Sequence, residues 1–276
     1  MKQAVVLSSL LLAAAQAWCQ APTPQGEIKG QALAHTAESA RAVVAGGALV
    51  LPSVATGGAV FAGAFKDAPK TVGSRVPVVL FLHGSSGLGL KAIGEWQQWL
   101  ATLGVASFAP DSFGLAGRAT YTSPVNKDFY EKIHALRASE ITLALQALKD
   151  APWADSRKIV LAGTSEGAVA VARHGGDGFA GRMIFSWSCE DNYFVTAHQT
   201  AVVRDQPVLN VIGATDPFFS RSNAWLGQPS AAGHCAAVFK DHTRASVVLI
   251  PAAPHTLLNL PAARQVVAGF LQELPR

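Results

Sequence analysis

Residues 158–172 read KIVLAGTSEGAVAVA and contain the pattern G-x-S-x-G at Gly163, Ser165 and Gly167. The apolar run 158–162 predicts a buried strand, and the Ala- and Val-rich run 168–172 predicts a helix. Between them a tight turn would leave no room for side chains at the two glycines and would lift the serine hydroxyl off the sheet, at the helix N-terminus. This arrangement predicts Ser165 as a nucleophile. The alternative is a glycine-rich turn with a purely structural role.

Further apolar runs extend this strand–helix alternation in both directions. They cover residues 77–82, 105–109, 182–187, 207–212 and 246–250. Because these runs are apolar on both faces, they are typical of parallel strands buried beneath helices. Apolar residues at helical spacing mark residues 131–150, and a last helix is predicted over 262–274, after Pro261. The pattern predicts an α/β protein with a mostly parallel, doubly wound sheet.

The composition indicates one domain. Half of the 276 residues are hydrophobic, and only 14% are charged. Residues 31–75 contain two apolar runs, 48–51 and 59–65, which we interpret as edge strands joined by a turn at Gly57-Gly58. No change in composition divides residues 31–276, so we assign them to a single domain. The net charge of +4 comes from scattered basic residues, and we expect no nucleic-acid partner.

The N-terminus has the form of a secretory signal peptide. Met1-Lys2-Gln3 is followed by an apolar run from Ala4 to Ala15 and by an A-x-A cleavage site at residues 15–17. The run is shorter than the roughly 20 residues that span a bilayer, so we expect no membrane span. Residues 1–17 therefore predict export to the periplasm or medium, and residues 18–30 are predicted to be flexible.

Export affects the interpretation of the three cysteines, since disulfides persist in oxidising compartments. We predict a bond between Cys189 and Cys235, with two separate buried thiols as the alternative. Trp18 precedes Cys19. A lipoprotein site requires a small residue there, so lipidation is not expected.

A serine nucleophile needs a base, and the base needs an orienting acid. Ligands of open α/β sheets bind at the carboxyl ends of the strands. Among the eight histidines, only His255 lies in the loop just after the last predicted strand. Asp216 follows the preceding strand and is the predicted acid, with Asp191 as the alternative. Ser165, Asp216 and His255 thus form the predicted catalytic set. The alternatives are that Asp216 only forms a turn before Pro217 and that His255 is an ordinary surface residue of its loop.

Two backbone amides are needed to hold the charge that develops on the reacting oxygen. One is expected from Glu166, which follows the nucleophile. The other is expected from the loop after the first regular strand, at Ser85 or alternatively Ser86. We interpret His83 as a structural residue that hydrogen-bonds the backbone of this loop.

These segments resemble the α/β-hydrolase superfamily and, within it, the dienelactone-hydrolase-like group. The resemblance runs from about residue 77 to the C-terminus and is carried by four segments, namely 81–84, 109–114, 137–140 and 163–167. It implies an α/β-hydrolase fold with a sheet of about eight strands and a Ser–His–Asp triad that works without a metal or organic cofactor. The strand–turn–helix segment around Ser165 is here called the elbow. Dienelactone hydrolases proper have a cysteine at the position of Ser165 in this elbow, so the serine favours a general esterase.

The expected function is hydrolysis of small-molecule carboxylic esters or lactones through an acyl-enzyme. About 20 residues separate the strand ending near Trp187 from the next one, and we predict no cap domain. Seven aromatic residues on or near strand-end loops are predicted to line an apolar pocket: Phe113, Tyr121, Trp187, Tyr193, Phe218, Phe219 and Trp225. The alternatives are a peptidase on the same scaffold and a binding protein that has the fold without catalysis.

Overall fold

The computed structural model describes residues 25–70 and 73–274. Its strands are β1 (Ile28–Lys29), β2 (Ala48–Leu51), β3 (Phe61–Ala64), β4 (Val76–Leu82), β5 (Ala106–Ala109), β6 (Thr120–Tyr121), β7 (Ala154–Thr164), β8 (Gly181–Phe185), β9 (Val208–Gly213) and β10 (Ala245–Ile250). Its α-helices are α1 (Ala37–Ala45), α2 (Ser53–Thr56), α3 (Lys91–Thr102), α4 (Lys127–Lys149), α5 (Glu166–Arg173) and α6 (Pro261–Glu273).

Eight strands form one sheet in the order β10-β9-β8-β7-β4-β5-β2-β3. The six strands from β10 to β5 are parallel, whereas β2 is antiparallel to both β5 and β3. This mostly parallel sheet flanked by helices is the predicted fold class. Because β7 and β4 are adjacent at its centre, the elbow after β7 lies beside the loop after β4.

Two hydrophobic cores cover the two faces of the sheet. Alternate residues of β4 enter different cores, as the two-residue period of a strand requires. Val78 and Leu80 pack in the core that α4 and α5 cover, and Val79 and Phe81 pack in the core that α3 and α6 cover. Burial on both faces explains why the central strands are continuous apolar runs.

Some local features depart from the sequence expectations. Helix α1 was not predicted; it begins at a capping box in which Thr36 and Ser39 bond each other's backbone amides. The predicted turn between β2 and β3 also contains α2, which is capped at its C-terminus by Gly57 with φ of 71°. The predicted strand that begins at residue 158 begins at Ala154 instead.

The predicted signal peptide, residues 1–17, lies outside the described residues, as do residues 18–24 of the segment predicted to be flexible. The described remainder of that segment is paired. Ile28 and Lys29 form an antiparallel ladder with Tyr121 and Thr120. The amide of Gly26 also donates to the carbonyl of Pro124 over 2.8 Å. Residues 25–30 are therefore held against the loop that precedes α4.

The long connections at the carboxyl end of the sheet are held together by a disulfide. Cys189 and Cys235 are bonded, as the sequence predicted, with their Cα atoms 4.8 Å apart. The bond joins the segment after β8 to the segment before β10, and both sulfurs are buried. Residues 186–207, all of which the structure describes, contain neither helix nor strand. Within the described ranges, no helix combines the length and apolar character that crossing a membrane requires.

Candidate active site

Ser165 occupies a strained turn between β7 and α5. Its backbone has φ of 54° and ψ of −119°, a region that non-glycine residues rarely adopt. The turn is compact enough that a Cβ at Gly163 would lie 2.8 Å from the backbone of Gly167. A Cβ at Gly167 would lie 2.4 Å from the carbonyl oxygen of Leu82. The glycines of the motif therefore allow the elbow to sit directly on the end of β4.

The loops that follow β9 and β10 bring Asp216 and His255 together. Nδ1 of His255 lies 2.7 Å from Oδ2 of Asp216, whose side chain is fully buried. The other oxygen, Oδ1, accepts from the amides of Phe218 at 2.9 Å and Phe219 at 3.0 Å. These amides fix the carboxylate so that its free oxygen faces the imidazole. Asp191, the alternative acid, is exposed and instead accepts from the amide of His198.

Two further contacts hold the loop that carries His255. Ser186, just after β8, is fully buried and donates its hydroxyl to the carbonyl of His255 at 2.5 Å. The ring of Phe218 packs edge-on against the imidazole, with centroids 4.6 Å apart. His255 is thereby fixed at its backbone, at Nδ1 and on one ring face, while about a fifth of its side chain remains exposed.

The loop after β4 lies against Ser165. A Cβ at Gly84 would be 3.3 Å from Cβ of Ser165, and the neighbouring Ser85 and Ser86 line the same cavity as Ser165. In the described part of the chain, neither the amide of Ser85 nor that of Glu166 donates to a loop, turn or side-chain acceptor. The predicted donor residues are therefore beside Ser165, with amides that are not engaged elsewhere.

Ser165 and His255 line a common cavity of about 270 Å³. Five aromatic side chains form much of its wall: Tyr121, Tyr193, Phe194, Phe218 and Phe219. Leu90, Ile93 and Leu258 contribute aliphatic surface.

Of the seven predicted pocket residues, four lie in this wall, namely Tyr121, Tyr193, Phe218 and Phe219, whereas Phe113, Trp187 and Trp225 do not. Trp187 is fully buried beneath it, against Phe219, and Phe113 is 41% exposed. Both follow strand ends, but the sequence does not show that Trp187 turns into the core.

The sequence model of the dienelactone hydrolase family matches residues 62–259, more than half of the chain. The chain belongs to the dienelactone hydrolase family. As a member of this family it is a carboxylesterase-like ester hydrolase. A comparison with curated protein sequences found no match.

Solved structures show the same fold. The dienelactone hydrolase from Anabaena variabilis is 17% identical, with a TM-score of 0.51, and the alignment covers 92% of this chain and 100% of that one. A dienelactone hydrolase-like promiscuous phosphotriesterase from metagenomic libraries is also 17% identical, with a TM-score of 0.53 and coverage of 92% and 99%. At these identities the similarity concerns the fold.

In this dienelactone hydrolase family member, four buried charged side chains pack beneath the elbow: Arg118, Arg137, Glu140 and Glu166. The fully buried carboxylate of Glu166 accepts from Arg118 at 2.6 Å and from the hydroxyl of Tyr121 at 2.9 Å. Arg137, also fully buried, pairs with Glu140 at 3.0 Å and lies 3.6 Å from Glu166. Two arginines and two glutamates thus balance in charge, as burial requires.

The pKa values of nearby groups follow from this environment. Burial, and then the charge of Glu166, raises the pKa of Tyr121 well above its ordinary value, so the phenol remains a donor. Burial, and then Arg137, lowers the pKa of His83 well below its ordinary value. Burial alone would raise the pKa of Glu140, but Arg137 and two hydrogen bonds hold it below the ordinary value. All three groups therefore keep their pairing roles at neutral pH.

His83 has the structural role that we inferred from the sequence. Its Nδ1 lies 2.7 Å from the carbonyl of Gly84, and its Nε2 accepts from the amide of Ser112 at 3.2 Å. The sequence alone does not reveal the roles of Arg118 and Arg137. The available signal was the placement of Arg137 and Glu140 beside the apolar stripe of α4, since charges on a buried face require partners.

Proposed function

We propose that this ester hydrolase cleaves carboxylic esters or lactones through an acyl-enzyme formed on Ser165, with His255 as the base and Asp216 as the orienting acid. The observation that carries the proposal is the 2.7 Å contact between His255 and buried Asp216, made on the cavity that Ser165 also lines. The same polar groups in this order along strand-end loops recur in serine hydrolases of this architecture.

In the first half-reaction, Oγ of Ser165 attacks the carbonyl carbon while its proton passes to Nε2 of His255. The Nδ1–H of His255 faces Asp216, which stabilises the imidazolium that forms. The protonated imidazole then gives its proton to the departing alkoxide, and the acyl group remains on Ser165. In a lactone the alkoxide stays attached to the acyl group. Ser165 and His255 do not hydrogen-bond to each other in this structure, and such contacts often tighten only with substrate.

In the second half-reaction, a water molecule gives a proton to His255 and attacks the acyl carbon, and collapse of the intermediate returns the proton to Oγ. Both tetrahedral intermediates carry a negative oxygen. We assign its stabilisation to the amides of Ser85 and Glu166, which adjoin Ser165 and are not engaged elsewhere.

The cavity supports small, uncharged ester substrates with an apolar or aromatic group. His255 is its only ionisable residue apart from two tyrosines, and no lysine, arginine, aspartate or glutamate of the described chain lines it. An acidic substrate would lose its hydration there without gaining a cation. Aromatic groups would gain favourable edge and face contacts with the five-ring wall.

We also propose that the enzyme is exported, with residues 1–17 as a signal peptide and residues 31–276 as one domain. The apolar run before Ala15-Gln16-Ala17 supports the signal peptide. The buried Cys189–Cys235 disulfide fits an oxidising compartment. Intact mass of the protein recovered from the periplasm or medium tests this: loss of the first 17 residues supports it, and an uncleaved cytoplasmic product contradicts it.

A panel of p-nitrophenyl esters of rising chain length, together with benzoyl and succinyl esters, tests the function. We expect turnover of the neutral esters to exceed that of the succinyl ester, and Ser165→Ala to lower turnover by several orders of magnitude. Similar rates on charged and aromatic esters would contradict the substrate class. Near-wild-type rates in Ser165→Ala would contradict the mechanism. Faster cleavage of peptide amides than of esters would favour a peptidase.

A further inference from the structure

We propose that Arg137 and Glu166 are positioning residues that set the distance between the two oxyanion-binding amides. This inference rests on the proposed function, in which those amides belong to Ser85 and Glu166. It assigns a role to the buried side chains of Arg137 and Glu166, which do not line the cavity themselves.

Arg137 bridges the two backbone segments that carry the amides. From α4, its Nη2 donates to the carbonyl of His83 at 2.9 Å, and Nη1 lies 3.2 Å from Nε2 of the same histidine. Its Nε lies 3.6 Å from Oε1 of Glu166. The guanidinium of Arg137 therefore hydrogen-bonds the loop after β4 and lies within ion-pair distance of the first residue of α5.

The carboxylate of Glu166 holds the other side of this bridge. Arg118 donates to Oε1 at 2.6 Å, and the Tyr121 hydroxyl donates to Oε2 at 2.9 Å. Arg118 is fixed in turn, since its Nε donates to Oγ of Ser112 at 2.7 Å. A side chain with both oxygens engaged cannot rotate freely, so the peptide that joins it to Ser165 is fixed as well.

His83 carries the constraint forward to the second amide. Its Nε2 faces Arg137 and the Ser112 amide, and its Nδ1 reaches the carbonyl of Gly84, the residue before Ser85. A continuous set of contacts thus runs from the Glu166 side chain through Arg137 and His83 to the Ser85 peptide.

The energetics favour a positioning role over a purely stabilising one. Removing two arginines and two glutamates from water is costly, and well-packed apolar residues often replace such groups without loss of stability. Buried charges can still be useful where they hold neighbouring groups in a fixed geometry. An oxyanion hole needs such a geometry, because each donor must lie about 2.7–3.1 Å from the position that the oxyanion will occupy. The placement of the group directly behind both amides is what a positioning role requires.

The test compares kcat and KM for p-nitrophenyl butyrate in Arg137→Lys and Glu166→Gln. Lysine keeps the charge but cannot reach His83 and Glu166 together, and glutamine keeps the shape but weakens both ionic contacts. We expect kcat to fall at least about tenfold in each variant, approaching the roughly 100- to 1,000-fold loss of a deleted donor, with KM within about twofold.

A control separates position from charge and from general damage. Arg173→Lys alters another arginine–glutamate pair, with Glu131 at 2.6 Å, away from the amides, and should keep kcat near the wild-type value. If these residues acted only through their charge, kcat of Arg137→Lys would match that of the wild type. The kcat of Glu166→Gln, which removes a negative charge near the oxyanion, would equal or exceed the wild-type value. Either result would overturn the inference, as would an equal loss of kcat in Arg173→Lys.

Tyr121→Phe provides a milder variant if the buried substitutions prevent folding. It removes one donor to Glu166 and keeps the ring, so we expect a fall in kcat of about threefold or more in a protein that still folds but unfolds at a lower temperature, because one oxygen of a buried carboxylate loses its donor. Wild-type kcat in this variant would contradict the inference. Ser165→Ala, measured in parallel, reports separately on the proposed function: if it stays active, the mechanism fails, whatever Arg137 does.

Discussion

Nδ1 of His255 lies 2.7 Å from Oδ2 of Asp216, although 39 residues separate them in the chain. The pair forms because β9 and β10 are adjacent parallel strands, so the loops at their carboxyl ends emerge side by side. The amides of Phe218 and Phe219 hold the other carboxylate oxygen, and within residues 25–70 and 73–274 the imidazole is the one partner of Oδ2.

This contact predicts a large effect for Asp216→Asn. The amide would present a similar shape but would no longer favour the tautomer and charge state that catalysis needs, so we expect kcat to fall about 1,000- to 10,000-fold. Asp191→Asn is the matched control, because among the described residues that exposed carboxylate accepts only from the His198 amide, and the variant should keep most of the activity. Equal losses in the two variants would contradict the assignment of the acid.

The sequence was sufficient to predict this pair because strand ends and their order along the chain can be recognised from apolar runs. The elbow could be predicted from the sequence as well, because close backbone contacts in this turn leave room only for glycine at positions 163 and 167. The contacts of Arg118 and Arg137 with Glu166 could not be predicted from the sequence. The partners come from distant segments, and no local spacing reports which buried charges meet. The inward turn of Trp187 was missed for the same reason.

The close approach of Gly167 to β4 predicts a steric cost for Gly167→Ala. Its Cβ would lie 2.4 Å from the Leu82 carbonyl oxygen, where backbone must move, so we expect the free energy of unfolding to fall by about 1–3 kcal/mol. Gly269→Ala in α6 is the control, since its Cβ would meet no described atom within 4 Å outside its own stretch of helix, and helix propensity predicts a gain of up to about 1 kcal/mol. Denaturant unfolding measures both, and equal effects would contradict the crowding argument.

The disulfide predicts a difference that depends on reductant. Replacing Cys189 and Cys235 together by alanine should lower the free energy of unfolding by about 4 kcal/mol, because a closed loop of 46 residues restricts the unfolded chain. Reductant should bring the wild type to the stability of the variant and leave the variant unchanged. Alkylation of both cysteines in the native, unreduced protein would show that the bond is absent.

His198 predicts a loss of stability in mild acid. Burial, and then Arg173, lowers its pKa to about 4, below the ordinary value of 6.5. The unfolded chain therefore binds this proton first, and stability present above pH 6.5 is lost progressively as the pH falls towards 4. Between these values one proton changes the free energy of unfolding by about 1.4 kcal/mol per pH unit.

His198→Gln removes this titration and should reduce the pH dependence by about 1 kcal/mol per pH unit near pH 5. Denaturant unfolding at several pH values measures the slope. A residual slope of the same sign is expected, because burial also lowers the pKa of His83 and His134. An unchanged slope in the variant would show that His198 is not a neutral buried group.

Locating a covalent adduct tests the nucleophile most directly. A fluorophosphonate should add one phosphonyl group per chain, and tryptic digestion should place it on the peptide of residues 159–173, which contains Ser165 as its only serine. We expect fragment ions to assign the group to Ser165 and labelling to disappear in Ser165→Ala. Labelling of another residue, or undiminished labelling of that variant, would contradict the account.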